Sequence, residues 1–239
     1  MSCVNLIIKA GEKLPSLDSV SGDYEDWMAE ILGWDQDDYR SVAIYLGEKL
    51  PPLDEVKSII ITGAGAMMTD PSPWIAESAE WLARAAESHH PILGICFGHQ
   101  LLAHALGGIV GNNPRGLEVG SVPIHLTGEA SEDSLFKNMP SQFIANVSHM
   151  QSVIKLPDGA RLLAYSKREP VHAFSYGADV WGIQFHPEFD AEIVKHFIRY
   201  FDDQLKQEGH DMSTLLADTD DTPESRQLLQ GFAQIHPKC

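Results

Sequence analysis

Residues 91–108 read PILGICFGHQLLAHALGG. After Pro91, Ile92–Ile95 form a short apolar run, too brief for a helix and suited to a buried strand. The stretch from Phe97 to Leu106 has helical character, and Gly107 and Gly108 close it. Strand, sharp turn, helix is the unit from which parallel α/β sheets are built. The turn itself is Gly94-Ile95-Cys96-Phe97-Gly98. This is the spacing of a nucleophile elbow with cysteine as nucleophile. Glycines two residues to either side let the backbone fold that closely. At the helix N-terminus the dipole favours a thiolate on Cys96, and the Phe97 N–H can stabilise an oxyanion. Taken alone, the pentapeptide also fits a buried cysteine in a glycine-rich turn.

Moving outward, residues 3–10 (CVNLIIKA), 42–47 (VAIYLG) and KSIIITGAGA around Ile61 read as further strands. Residues 23–33 place Trp27 and Ile31 at helical spacing, with Asp23 as N-cap and Gly33 as stop. A second helix begins at Ser72 or Pro73 and carries Trp74 and Trp81 on one core-facing side. Residues 117–183 change texture to short strands (EVGSVPIHL, QFIANV, RLLAYS, PVHAFSY, VWGIQF), with a short helix expected near SLFKNM. Helices follow over 190–204 and 226–235, separated by a polar gap. The expected fold is a single α/β domain over 1–239. It has a doubly wound, mostly parallel sheet flanked by helices, an antiparallel extension over 117–183, a core of about 40–200 and a helical tail over 205–239. In such sheets ligands bind beyond the carboxyl ends of the strands, here the tips after Ile61, Ile95 and Phe185.

At 239 residues the chain buries roughly 70% of its unfolded surface, enough for a core without staples. With 17 Lys and Arg against 34 Asp and Glu, its net charge of −17 repels phosphate backbones and anionic lipid. Nucleic-acid and membrane partners are therefore not expected. Cys3, Cys96 and Cys239 are too few for a disulfide framework, and no apolar run is long enough to span a bilayer. The expected location is the cytoplasm. Cys3 is expected in the core and Cys239 at the surface. His89, His90, His99 and His104 lack ligand spacing and read as solvated or packed.

Two further strings carry chemistry. In Gln184-Phe185-His186-Pro187-Glu188-Phe189, a histidine just past a strand can reach a nucleophile on a neighbouring strand, while Glu188 fixes its tautomer. A surface turn with solvated side chains is the alternative. Ile61-Thr62-Gly63-Ala64-Gly65-Ala66 is a small-residue loop after a strand, able to supply a second oxyanion donor or simply to make a tight turn. It lacks the Lys-Ser/Thr of a phosphate-binding loop.

GICFGHQLLAHALGG together with WGIQFHPEF resembles the class I glutamine amidotransferases, over about residues 40–200. The order of oxyanion loop, cysteine elbow and His-Pro-Glu also matches. TDPSPWI, NPRGLEVG and DTPESRQLLQGF are more similar to free-standing members than to domains of large synthetases. The resemblance implies Cys96 as nucleophile, His186 as base and acid, Glu188 as orienting carboxylate, and Ala64 and Phe97 as oxyanion donors. It further implies Gln100 as a substrate contact, and Ser148-His149-Met150-Gln151 as the loop lining the pocket. The family's acidic position is here Gln151, a departure that bears on substrate more than on catalysis. The implied function is hydrolysis of the glutamine γ-amide through a thioester, with ammonia passed to a separate synthetase and with no metal or organic cofactor. The alternatives are a stand-alone γ-glutamyl peptidase and, less favoured, an inactive binding module.

Overall fold

The computed structural model describes residues 3–235. Nine strands form one mixed sheet in the order β2-β1-β3-β4-β11-β10-β9-β6-β7. These are β1 Val4–Lys9, β2 Tyr39–Ala43, β3 Val56–Ile61, β4 Ile92–Ile95, β6 Glu118–Leu126, β7 Gln142–His149, β9 Arg161–Tyr165, β10 Ala173–Tyr176 and β11 Val180–Ile183. The half from β2 to β11 is parallel, and from β11 to β7 the pairing is antiparallel. β5 (Ile109–Asn112) and β8 (Gln151–Lys155) pair separately as a small antiparallel ribbon.

Both faces of the parallel half are covered, which explains why its strands read as continuous apolar runs. Alternation still assigns each side chain to a layer. Ile60, Leu93, Ile95, Trp181 and Ile183 face the layer of α1 (Tyr24–Leu32), α4 (Ala191–Tyr200) and α7 (Pro223–Ala233). Ile59, Ile61, Ile92 and Val180 face α2 (Pro73–Glu87) and α3 (Phe97–Ala105). Helix α1 starts where the Asp23–Asp26 capping box satisfies orphan amides, and ends at Gly33 with φ +66°. The tail is part of the same core. Leu228, Leu229 and Phe232 of α7 are buried with Trp27 and Met28 of α1, Phe232 meets Trp181 edge-on at 6.2 Å, and Gln230 donates to the Ile31 carbonyl.

Some elements differ from the sequence reading. β2 ends at Ala43, and residues 44–46 are a 3-10 turn. The short helix expected near SLFKNM is a 3-10 turn at Gly128–Glu132 just before it; SLFKNM itself is a turn, fixed by the Asp133 carboxylate, which accepts from the Leu135 and Phe136 amides and from the Trp181 indole. The 190–204 helix breaks at Phe201 into α4 and α5 (Asp202–Gln207), and the polar gap contains a short α6 (Met212–Ala217). Cys3 lies half-buried just ahead of β1, its sulfur 3.5 Å from the Asp54 carbonyl, rather than in the core. Cys239 lies outside the described residues. Among the described residues no helix is long and apolar enough to cross a membrane.

Candidate active site

β4 delivers Cys96 to the carboxyl edge of the sheet, where it caps α3 with φ 51° and ψ −103°. A non-glycine residue there is strained, at a cost of order 1–3 kcal/mol that the surroundings must impose. Both flanking glycines impose it by close approach. A Cβ on Gly94 would stand 2.4 Å from the Gly98 carbonyl oxygen, and one on Gly98 would stand 2.5 Å from that of Ile61. The Cys96 amide donates to Ile183 of β11, fixing the elbow beside the next strand. Its thiol is free and nearly buried, 3.6 Å from the Ser148 carbonyl.

His186 emerges two residues beyond Gln184, its amide donating to Asn146 of β7. Nδ1 lies 2.7 Å from Glu188 Oε1, so Nε2 is the nitrogen left to hydrogen-bond Cys96. The ring lies flat on Phe189, centroids 3.8 Å apart and planes within 6°, with Tyr24 of α1 beyond at 6.4 Å. Burial alone would push the imidazole pKa down. The Glu188 carboxylate and the Cys96 sulfur overcome that and raise it to about 10. Gly63, at the end of β3, abuts both side chains: a Cβ there would lie 2.8 Å from His186 Cε1 and 3.6 Å from Cys96 Cβ. Three strand tips thus meet at one point, as the sequence reading anticipates.

Ala64, Phe97, Gln100, Ser148, His149 and Gln151 all line the same cleft of about 140 Å³. Three of them have their polar ends committed to protein, His149 through Glu118 and the Gln151 carbonyl. Gln100 Nε2 donates to the Gln151 carbonyl and to Gln184 Oε1, each at 2.9 Å. The Gln151 side chain accepts from the Met68 amide and donates to Thr69 Oγ1 and Asn112 Oδ1. It therefore ties the pocket loop to the β3–α2 connection and to β5.

Beneath that loop is a buried polar cluster that sequence reasoning missed. His149 Nε2 meets Glu118 Oε2 at 3.0 Å, and His172 Nε2 lies 3.2 Å from the same oxygen. Ser166 donates to the other oxygen of Glu118, and Glu169 sits 3.8 Å from His149 Nδ1 while accepting from Ser152. Burial would raise the Glu118 pKa, but the two histidines hold its carboxyl well below the usual range. His149, likewise opposed by burial, is raised by Glu118 and Glu169. Among the described residues, Glu118, His149 and His172 are the set that could hold a metal ion. As they stand, they form a charge network that anchors the pocket loop. His90 and His99 are buried and His89 and His104 exposed, in keeping with packed and solvated roles.

Residues 30–201 match the family model described as glutamine amidotransferase class-I. The chain is 33% identical over 148 residues to gamma-glutamyl peptidase 5 of Arabidopsis thaliana, covering 61% of this chain and 59% of that protein. It is 37% identical over 142 residues to one of the subunits of the glutamine-hydrolyzing GMP synthase of Methanococcus vannielii, covering 59% and 69%. A glutamine amidotransferase from Thermotoga maritima shares the fold, with a TM-score of 0.73 at 21% identity and 97% of each chain covered. The match takes in the cysteine elbow and the His-Pro-Glu turn alike and spans well over half of the sequence, so the chain belongs to the class I glutamine amidotransferases.

Proposed function

We propose that the protein, acting as one domain, is a hydrolase that cleaves the γ-amide of a γ-glutamyl substrate through a thioester on Cys96. The observation that carries this reading is Cys96, strained on its elbow and packed with His186 against Gly63, beside an imidazole that Glu188 holds from behind at 2.7 Å. The Cys96 thiolate attacks the γ-carbonyl, and the oxyanion is held by the Ala64 and Phe97 amides. Collapse of the adduct breaks the C–N bond, and the departing amine takes a proton from the His186 imidazolium. Water then loses a proton to His186 and attacks the thioester, releasing glutamate and the thiolate. Gln100 and the Ser148–Gln151 loop shape the acyl side of the cleft.

With glutamine as substrate the amine is ammonia, and the relative in Methanococcus vannielii is named as one subunit of such an enzyme. A separate synthetase chain would then be the acceptor's source. A second reading, turnover of γ-glutamyl compounds without a partner, is favoured by the apolar mouth of the cleft, which includes Leu14, Phe197, Tyr200 and Phe201.

Release of glutamate from glutamine and from a panel of γ-glutamyl amides, measured beside Cys96→Ser, tests the proposal. Turnover that Cys96→Ser abolishes is expected. Equal activity of wild type and variant on every substrate overturns it. A glutamine-analogue diazo-ketone should label Cys96 and spare Cys3.

A further inference from the structure

The reading of Cys96 and His186 above fixes where the leaving group must lie. A general acid has to come within about 3 Å of the nitrogen it protonates. Any substituent on that nitrogen therefore extends over the imidazole side of the cleft, away from Gln100 and Ser148. That side is walled by apolar and aromatic side chains, nearly buried at Tyr24 and Phe197 and open at Tyr200. Tyr24 faces His186, Phe189 under the imidazole stacks on Phe197 at 5.0 Å, and Leu14, Tyr200 and Phe201 carry the wall outward. Tyr200 is 56% exposed and meets Phe201 edge-on at 4.9 Å, an arrangement that leaves aromatic surface uncovered at the mouth.

Among the described residues, no Asp, Glu, Lys or Arg lines the cleft. Ammonia or a charged, hydrated amine would gain nothing from this wall. An aromatic or branched aliphatic group would remove apolar surface from water on both sides.

We infer that the substrate of this site is a γ-glutamyl amide whose amine carries an apolar, aromatic group, seated on Leu14, Tyr24, Phe197, Tyr200 and Phe201. The rival occupant of the same wall is the surface of a partner protein. Two features favour the small group: the wall begins at the catalytic imidazole itself, and it is recessed within the cleft that holds Cys96.

The experiment compares kcat/KM of the full chain on glutamine, γ-glutamyl ethanolamide and γ-glutamyl benzylamide, with Tyr200→Ser, Phe201→Ser and Cys96→Ser alongside. The benzylamide is expected to exceed both others at least tenfold. Tyr200→Ser and Phe201→Ser should shrink that preference at least fivefold, mainly through KM, and diazo-ketone labelling of Cys96 verifies that each variant keeps an intact site. Cys96-dependent turnover with no preference for the benzylamide overturns this inference while leaving thioester hydrolysis standing. Glutamine turnover that appears only when a synthetase chain is added also overturns it. Turnover unaffected by Cys96→Ser instead removes the underlying hydrolase reading.

Discussion

Replacing Gly63 by alanine is expected to cripple turnover while leaving the fold intact. The added methyl would stand 2.8 Å from His186 Cε1, where ordinary contact begins at 3.4 Å. The ring must therefore move by about 0.6 Å. It has little freedom to slide in its own plane or recede, because Nδ1 is held by Glu188 at 2.7 Å and one face rests on Phe189 at 3.8 Å. The displacement falls on the gap between imidazole and sulfur. Since misplacing a reacting group by about 1 Å costs on the order of 10²-fold, kcat should fall between about 10-fold and 100-fold. Overpacking costs about 1–3 kcal/mol. The lower chain entropy of alanine offsets about 0.4–1 kcal/mol of that, because Gly63 has no positive φ to defend. Steady-state glutamate release and urea unfolding, run on the same preparation, read both quantities. A kcat within twofold of wild type would refute the tight packing of Gly63 against the imidazole and, with it, the geometric case for the pair.

Other perturbations should behave as follows. The His186 pKa is raised to about 10 from 6.5, so its contribution to stability is full below about pH 6.5 and is lost as pH rises through 10. The stability advantage of wild type over Glu188→Gln in urea should shrink across that window, and glutamate release by the variant should fall. Glu118→Gln leaves buried histidines without their counter-charge and should cost about 3–5 kcal/mol in thermal or urea unfolding. Because the Glu118 pKa is depressed, the stability this group confers is present above about pH 4.5 and fades as pH falls below it, and in Glu118→Gln that fading should be absent. Phe232→Ala, which opens the contact with Trp181, should cost about 3–5 kcal/mol by urea unfolding despite lying 46 residues beyond His186.

Features set by local chemistry were legible in the sequence. The glycines around Cys96 show the elbow because no larger side chain fits against the Ile61 and Gly98 carbonyls. Asp23 and Gly33 bracket α1 because caps act within one turn. Features set by distant partners were not. β5 and β8 leave Ile109 and Ile154 exposed and so show no buried periodicity. The helix expected near SLFKNM stops as a 3-10 turn at Glu132, because Asp133, whose partner Trp181 lies 48 residues away, fixes the turn that follows. The Glu118–His149–His172 cluster was invisible for the same reason. Glu118 and His172 read only as members of short strands and His149 only as lining the pocket, and it is the register that sets Glu118 opposite His149 that makes them neighbours. The remaining signal was the position of Glu118 beside Leu117 and Val119, a charge set among apolar strand residues.

The seating of α7 against α1 has a temporal consequence. Tyr24, the α1 residue that faces His186, sits on a helix whose inner side is sealed by side chains translated some two hundred residues later. A nascent chain still threaded through the ribosome at residue 220 would own every group needed for chemistry yet present α1 half-bare. Competence is thus deferred until α7 has emerged and docked, and until then the flank of α1 stays uncovered.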